Sequence, residues 1–541
     1  MNSDSNESKS PTPQLNHWVF WPPFLLLIGA IALNFISPDR TGENGEKIQG
    51  WFSVAMESGQ SWILGNFGWL FTLVATSSLI LTLLISCSKF RNVRLGGPDA
   101  KPLMSMWNWF SITICTTIAI GILFWSTAEP ISHMMSPPDF AGAQPGSNKA
   151  ATFALSTMYL HWSFTPYAIY CVASLMFGYA YYNLKQPYSL GSTLTPLFGD
   201  KVYGRGGTII DAICLYALVA GMAAALGTGI LMLGGGLQLL TSNNDTFKIV
   251  SGKWVWLGIT LLIVSTFIVS SATGLMKGIR ILSDINTKLL FVLALVPVFF
   301  GASWALAGYA GSALVDYVVH FVPRHFDFSS GAWEQDWTVF YWAVWLAWAP
   351  VTACFLGRIA YGRTVGEFLL VNFLFPALFA IVWMTIFSGT AIDMQLRFID
   401  NPDQPLATNL HQVYVNDGEE SVSYAVFSEL PLKLVLIIFY MVSAFVCFVT
   451  SSDSNMSAMS SISSTGITPE NPEGNLTLKI IWGVTVGAVA WIMISFTGGV
   501  KGVKMLSNLG GFPAAFLQLL IIAALAKVVW THQFPGKPKA N

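Results

Sequence analysis

Apolar runs of about 20 residues, nearly free of charge and long enough to cross a bilayer as helices, recur from one end of the chain to the other. Twelve are predicted, at 18–36, 65–87, 105–128, 152–182, 208–240, 254–273, 286–311, 337–361, 366–392, 431–450, 476–498 and 505–530. None alternates with period two over about ten residues, which argues against a membrane β-barrel, and an all-α integral membrane protein is predicted. The first 16 residues, MNSDSNESKSPTPQLN, carry Lys9 as their only cation. They predict a disordered tail before a retained first helix, because a cleavable signal would begin with a positive stretch.

The polar intervals set the orientation. With the N-terminus inside, the cytoplasmic loops and flanks hold about 17 Lys and Arg against about 10 outside, the sense that positive charge favours. Lys89, Arg91, Arg94 and Lys101 mark an inner loop, whereas 393–430 sets seven carboxylates against Arg397 alone and should face outward. Both termini are then cytoplasmic.

Composition agrees. Of 541 residues, 53% are hydrophobic and 10% charged, whereas charged residues make up roughly a quarter of a soluble domain. The net charge of -1 gives no reason to expect a nucleic-acid partner. All six cysteines, Cys87, Cys115, Cys171, Cys214, Cys354 and Cys447, fall within or beside apolar runs, so no disulfide framework is indicated. No HExxH run, His/Cys cluster or phosphate-cradling loop points to an enzyme, and no cofactor or certain metal site is expected.

Several runs break pattern. GMAAALGTGILMLGGGLQ (221–238) repeats small residues every four positions, which fits either a groove for close helix packing or a backbone lining a path. TTIAIGILFWSTAEP (116–130) interrupts the third run with hydroxyls and Gly121 before Glu129 and Pro130. Such breaks are tolerated in lipid only where backbone faces protein or water, and transporters hold substrate at discontinuous helices. A second interrupted run, with Pro350, lies five helices on. FVTSSDSNMSAMSSISSTG (448–466) gathers oxygens that serve either as helix caps or as ligands for a hard cation.

That second interrupted run, YWAVWLAWAP (341–350), places Tyr341, Trp345 and Trp348 at i, i+4 and i+7, on one helical face, with Trp342 at its border. Trp333, Trp337 and Trp342 suit an interfacial belt near the outer end. Trp345 and Trp348 lie too deep for that. Aromatic faces carry negative potential and hold a quaternary ammonium, which has no N–H to donate. The fourth run adds Trp162, Tyr167 and Tyr170 around Pro166. Two readings stand, packing or an onium cage. His161 could shuttle protons but, with no second His or carboxylate in its motif, reads first as a packed or backbone-bonded histidine, and Glu129, Asp211 and Asp284 read as solvated or capping groups near helix ends.

These pieces together resemble the betaine/choline/carnitine transporter family over nearly the whole chain. The resemblance rests on FWSTAEP (124–130), LHW (160–162), GMAAALGTG (221–229), GLMKGIRILSDIN (274–286), DWTVFYW with WLAWAP (336–350), GRIAYGRTVGEF (357–368) and VTSSDS (449–454). It implies a twelve-helix, LeuT-type core of two five-helix inverted repeats plus two peripheral N-terminal helices, alternating access, a homotrimer and a bacterial inner-membrane location. The expected divisions are the tail 1–16, peripheral helices 17–104, first repeat 105–311, amphipathic surface helix and outer loop 312–336, second repeat 337–530 and a short cytoplasmic tail 531–541.

Carried over from the family, the substrate box is Trp162, Tyr167, Tyr170, Trp342, Trp345 and Trp348. Tyr167 and Val344 stand where the family often has Trp. The implied solutes are glycine betaine, dimethylsulfoniopropionate, choline or carnitine. For coupling, sodium-driven members carry a Gly-x-Gly-x-Gly break where this chain has Thr117, Ala119 and Gly121, and two Thr where it has Ala224 and Thr228. Thr450 and Ser451 match sodium ligands, while Arg280 matches an arginine of sodium-independent exchangers; it also reads as a cytoplasmic anchor. A guanidinium near those hydroxyls would replace and repel the ion. Proton coupling or exchange is expected ahead of sodium symport, with Na+ or H+ as the only possible accessory ion. The alternatives are a sodium-coupled betaine-type symporter and a carrier of another amino-acid-like solute.

Overall fold

A computed structural model describes residues 13–37, 40–41, 47–117, 119–242, 248–272, 275–301, 303–328, 331–468, 473–497 and 499–533. The chain is almost entirely helical: α1 His17–Ile36, α2 Trp51–Cys87, α3 Met106–Thr117, α4 Ala119–Met135, α5 Asn148–Trp162, α6 Phe164–Tyr182, α7 Arg205–Thr241, α8 Lys253–Ala272 and α9 Leu275–Phe300. There follow α10 Ser303–Val319, α11 Thr338–Ile359, α12 Val365–Asp400, α13 Leu410–Asp417, α14 Glu419–Ser428, α15 Lys433–Ile462, α16 Leu476–Phe496 and α17 Val500–Gln533. Among the described residues nine helices are long and apolar enough to cross a membrane, or up to eleven if each of two bent pairs is one span. The protein is therefore an integral membrane protein by length and composition of its helices.

The described residues of the twelve predicted runs are largely helical, but boundaries differ: the helix of the second run begins at Trp51, and those of the ninth and tenth extend to Asp400 and Ile462. The fourth run is two helices, broken at Ser163. Pro166 is the cause, since its ring cannot coexist with a helical carbonyl four residues earlier, at Trp162, yet fits the first turn of α6. The seventh run ends at Phe300, and α10 begins at Ser303, earlier than the surface helix expected from 312. Of the expected disordered tail, Gln14–Leu15 pairs antiparallel with Ser464–Thr465, because edge backbone groups there find partners. Residues 1–12 and 534–541 lie outside the described residues.

The two interrupted runs are the two bent pairs. Met106–Thr117 meets Gly121–Met135 at 54°, and Ala332–Pro350 meets Thr352–Ile359 at 53°. In α11 the bend follows Pro350, and the Thr352 hydroxyl donates to the carbonyls of Trp348 at 3.2 Å and Ala349 at 2.9 Å. Carbonyls crowded at the break thus keep a partner.

Packing places these breaks at the centre. α11 lies against α6, α7 and α17, and α4 against α5, α12 and α14. α1 is mostly exposed, with Trp18, Leu25, Leu26 and Ile36 facing out, and rests on α7 and α16. Small residues set the closest crossings. A Cβ on Gly357 of α11 would lie 2.6 Å from the Ser174 carbonyl and 2.9 Å from the Gly178 amide of α6, so only glycine permits that approach. The six cysteines are all free thiols, with only Cys87 exposed.

Candidate functional site

Between α3, α4, α5, α6, α7, α11, α15 and α17 lies a cavity of about 60 Å³, room for about two water molecules. Its aromatic wall includes Trp125, Trp162, Tyr170, Tyr341, Trp345 and Trp348, with Phe340 beside them. The rings meet edge to face: Trp345 is 5.5 Å from Trp162 and 5.3 Å from Tyr170 between centroids, and Trp162 is 5.3 Å from Tyr341. Gly221, Ala224 and Ala225 form a smooth opposite wall, and Thr116, Thr117, Ser451 and Ser507 supply hydroxyls. The small-residue stretch of α7 therefore serves both of its sequence readings. Gly221 lines the cavity, while Gly229 receives the Phe448 ring.

Of the six box residues read from sequence, Trp162, Tyr170, Trp345 and Trp348 line this cavity. Tyr167 and Trp342 do not. Tyr167 packs behind, 6.0 Å from Trp345 and 6.4 Å from Tyr170. Trp342 turns edge-on to His161 at 6.2 Å. Tyr341 takes the place on the wall, which is what the i, i+4, i+7 spacing of Tyr341, Trp345 and Trp348 implies for a single helical face. The interfacial-belt reading fails for Trp337 and Trp342, which are 7% and 2% exposed, because helices on every side cover them.

Behind the wall sits a buried carboxylate that the sequence reading placed in solvent or at a cap. Glu129 is fully buried and accepts four hydrogen bonds. Its Oε1 faces His161 Nδ1 at 2.7 Å and His133 Nε2 at 3.0 Å. Its Oε2 receives the Trp162 indole N–H at 2.9 Å and the Tyr341 hydroxyl at 2.5 Å. His161 completes its ring with Thr338 Oγ1 at 3.0 Å. The packing reading of His161 is thus replaced by an ionisable network, joined across 32 residues of sequence. The i, i+4 spacing of Glu129 and His133 was the one sequence signal available for it.

Two of those four donors, Trp162 and Tyr341, are wall residues, so Glu129 fixes the orientation of the box. Glu129, His133 and His161 also bring potential ligand atoms within 4.8 Å of one another. A carboxylate offers about four acceptor directions, and protein N–H and O–H groups fill all four, so the set is complete without an ion. Asp211 does act as a cap, accepting from the Leu190 and Gly191 amides at 2.8 and 3.2 Å. Asp284 bonds Trp107 and Lys288 near the surface.

The coupling candidates are not gathered into one site. Ser451 lines the cavity, while Thr450 donates to the carbonyls of Val446 at 2.9 Å and Cys447 at 3.0 Å and lies 3.4 Å from Asn286 Nδ2. The Thr228 hydroxyl donates back to Ala224 and Ala225 at 3.0 Å. Arg280 is exposed, whereas Thr450 and Ser451 are 1% exposed. The side chain of Ala119 lies outside what is described.

Just outside the wall, the Lys504 ammonium lies 4.2 Å from the Trp337 ring centroid, 5.1 Å from Phe340 and 5.9 Å from Trp125. The fold thus already holds one cation against aromatic faces at this end of the cavity. Above it, outside the spans, α13 and α14 cover the bundle. Burial pushes the Glu420 carboxyl up to about 7, with the adjacent Glu419 charge adding to the effect. Burial, then the Glu419 charge, raises the Tyr414 phenol to about 12.

Broken helices around a mainly aromatic and apolar cavity within the membrane-spanning bundle fit a membrane carrier of small molecules. Comparison with known proteins places it more closely. Residues 18–534 match the BCCT, betaine/carnitine/choline family transporter, and the chain belongs to that family. It is a transporter and not an enzyme. It is 30% identical over 514 residues to the glycine betaine transporter OpuD of Bacillus subtilis, covering 94% of this chain and 93% of that one. It is 26% identical over 518 residues to the ectoine/hydroxyectoine transporter of Virgibacillus pantothenticus, covering 95% and 97%. It is 28% identical over 526 residues to the osmo-dependent choline transporter BetT2 of Acinetobacter baylyi, covering 96% and 72%.

Proposed function

We propose that this chain carries small onium compounds of the glycine betaine, dimethylsulfoniopropionate, choline or carnitine type across a bacterial cytoplasmic membrane. One observation carries the reading: Trp162, Tyr170, Trp345 and Trp348 present aromatic surface to a single buried cavity beside two helix breaks. A permanent cation leaving water finds in converging ring faces the electrostatic partner that it needs and that aliphatic walls lack. The names of the related transporters, for glycine betaine, ectoine and choline, support the same solute class. The cavity is small for such a solute. Binding therefore accompanies a rearrangement of the wall, in keeping with alternating access by a LeuT-type core of inverted repeats.

Proton coupling or exchange is proposed ahead of full sodium dependence. Ala224 stands where a hydroxyl ligand would be needed, and the Thr228 hydroxyl is already engaged with its own helix. Sodium symport is the second reading, favoured by the Thr116, Thr117 and Ser451 hydroxyls on one cavity. A homotrimer with cytoplasmic termini follows from the family resemblance and from the charge of the loops.

The test is counterflow in proteoliposomes with a panel of onium solutes, varying sodium and pH independently. Exchange of methylated onium solutes but not of ordinary amino acids is expected. Exchange of amino acids alone would overturn the solute class, and an absolute requirement for sodium would favour the second reading.

A further inference from the structure

The donors and acceptors around Glu129 can be counted one by one. Indole and phenol give Oε2 two protons, from Trp162 and Tyr341. Oε1 takes the Nδ1–H of His161, whose Nε2 then accepts from the Thr338 hydroxyl. Oε1 takes also the Nε2–H of His133. With both imidazoles neutral, this count fills the acceptor positions of the carboxylate. His133 Nδ1 is then a bare lone pair, buried and without a hydrogen-bond partner among the described residues. The cluster holds one negative charge and one open proton site.

We propose that His133, with Glu129 and His161, forms a proton-binding site whose occupancy opposes onium binding in the adjacent cavity. The proposal rests on the reading of that cavity as an onium site. A proton on His133 Nδ1 converts the cluster from one negative charge to a neutral imidazolium–carboxylate pair. Trp162 and Tyr341 separate the carboxylate from the cavity by a single layer of rings. The anionic cluster therefore attracts an onium cation through a dry wall, and the neutral pair attracts it less. Linkage is reciprocal, so onium binding expels the proton to the same degree that the proton weakens the onium.

Apart from Tyr341, the other charged and titratable groups around the cluster act on it without completing its hydrogen bonding. Tyr341 donates to Glu129 from α11. Lys504 of α17 acts on His133 and Glu129 through space and is held by the three rings and by the Asp336 carbonyl at 3.3 Å. Tyr414 of α13 interacts with Glu129 and Glu419 of α14, and Glu419 and Asp336 with Lys504. Phe153, Trp333 and Trp337 close the remaining sides of His133 with rings at 6.4, 5.1 and 4.6 Å. On the other flank Thr338, the partner of His161, also lines a pocket with Asp327 and Glu334.

The experiment is a tryptophan-fluorescence titration of the purified full chain with glycine betaine and with choline, between about pH 5 and pH 8, the range in which histidine changes charge. The Kd is expected to rise about tenfold as pH falls, within the range usual for coupled sites, and to level off at both ends of the range. His133→Gln keeps a donor for Glu129 but cannot titrate, so its Kd should be flat with pH. The surface variant His320→Gln should keep the full dependence. In wild type, a pH-indicator dye in weak buffer should report proton release on adding onium, which needs no variant to fold. Binding that ignores pH, or a His133→Gln variant with wild-type pH dependence, overturns the inference and leaves the onium site standing. No binding at any pH overturns both.

Discussion

Trp345 donates its indole N–H to the backbone carbonyl of His161 across 3.1 Å. His161 lies in the last turn of α5, where the break at Ser163 leaves carbonyls without helical partners. One tryptophan therefore caps a broken helix and walls the cavity.

These two roles separate by substitution. Trp345→Ala should raise the Kd for an onium solute about tenfold or more, the scale of a desolvated cation–π contact. Trp345→Phe keeps a ring but leaves the carbonyl bare, which costs about 1–3 kcal/mol. It should lower the melting temperature more than it weakens binding. Trp254→Ala, at a 70% exposed position, is the control. Equal effects from Trp254 and Trp345 in fluorescence titrations and melts would remove the assignment.

Glu129→Ala strands four donors in a buried site, and each unsatisfied group costs about 1–3 kcal/mol. Poor yield or a large fall in melting temperature is expected. Glu129→Gln retains part of the acceptor capacity and should fold, with onium Kd raised about tenfold because the charge behind the wall is gone. A thermal melt and a binding titration on the same sample check both statements. An unchanged Kd in the Gln variant would mean that the charge does not reach the cavity.

Gly121 is fixed by a neighbour. A Cβ there would lie 2.5 Å from the edge of the Trp162 indole and 3.0 Å from its next atom. Alanine is the better helix former by about 1 kcal/mol, so Gly121→Ala should keep the fold while pushing the indole into a cavity of only about 60 Å³. Loss of onium counterflow by about tenfold or more, with the melting temperature within a few degrees, is the expected pairing. Full transport with the larger residue would place the indole elsewhere.

Glu420 gives a pH dependence outside the spans. Burial holds its proton, lifting the carboxyl to about 7 from an ordinary 4.5. A carboxyl raised in the folded state contributes fully below its ordinary value, and the contribution is lost as pH climbs through the folded one. Hydrogen exchange in α14 should therefore accelerate between about pH 4.5 and pH 7.5 beyond the intrinsic rise. Glu420→Gln should remove the excess. An identical profile in the variant would show that another group is responsible.

Much of the fold was legible because lipid leaves few options. A backbone without water must be helical, and about 20 residues must be apolar. Pro350 and the hydroxyl-rich stretch before Glu129 marked the two bent spans for the same reason. The break at Ser163 is not apparent from the sequence, although Pro166 lies just beyond it, because the apolar run continues through it. Trp337 and Trp342 were misread as belt residues because a one-dimensional pattern gives depth along a helix but not which neighbours surround it.

The sequence by itself determined the solvent of this protein, its helices, the positions of most breaks and the aromatic chemistry of the eighth run, since these depend on local composition and on residue spacing along one helix. Only the tertiary structure decided that this helical face meets Trp162 and Tyr170 across one cavity. It alone brought Glu129 against His133, His161, Trp162 and Tyr341 and left Arg280 at the surface. Those relationships join side chains across as many as 212 residues, and a hydrogen bond of about 3 Å is set by how helices pack rather than by the order in which they are made.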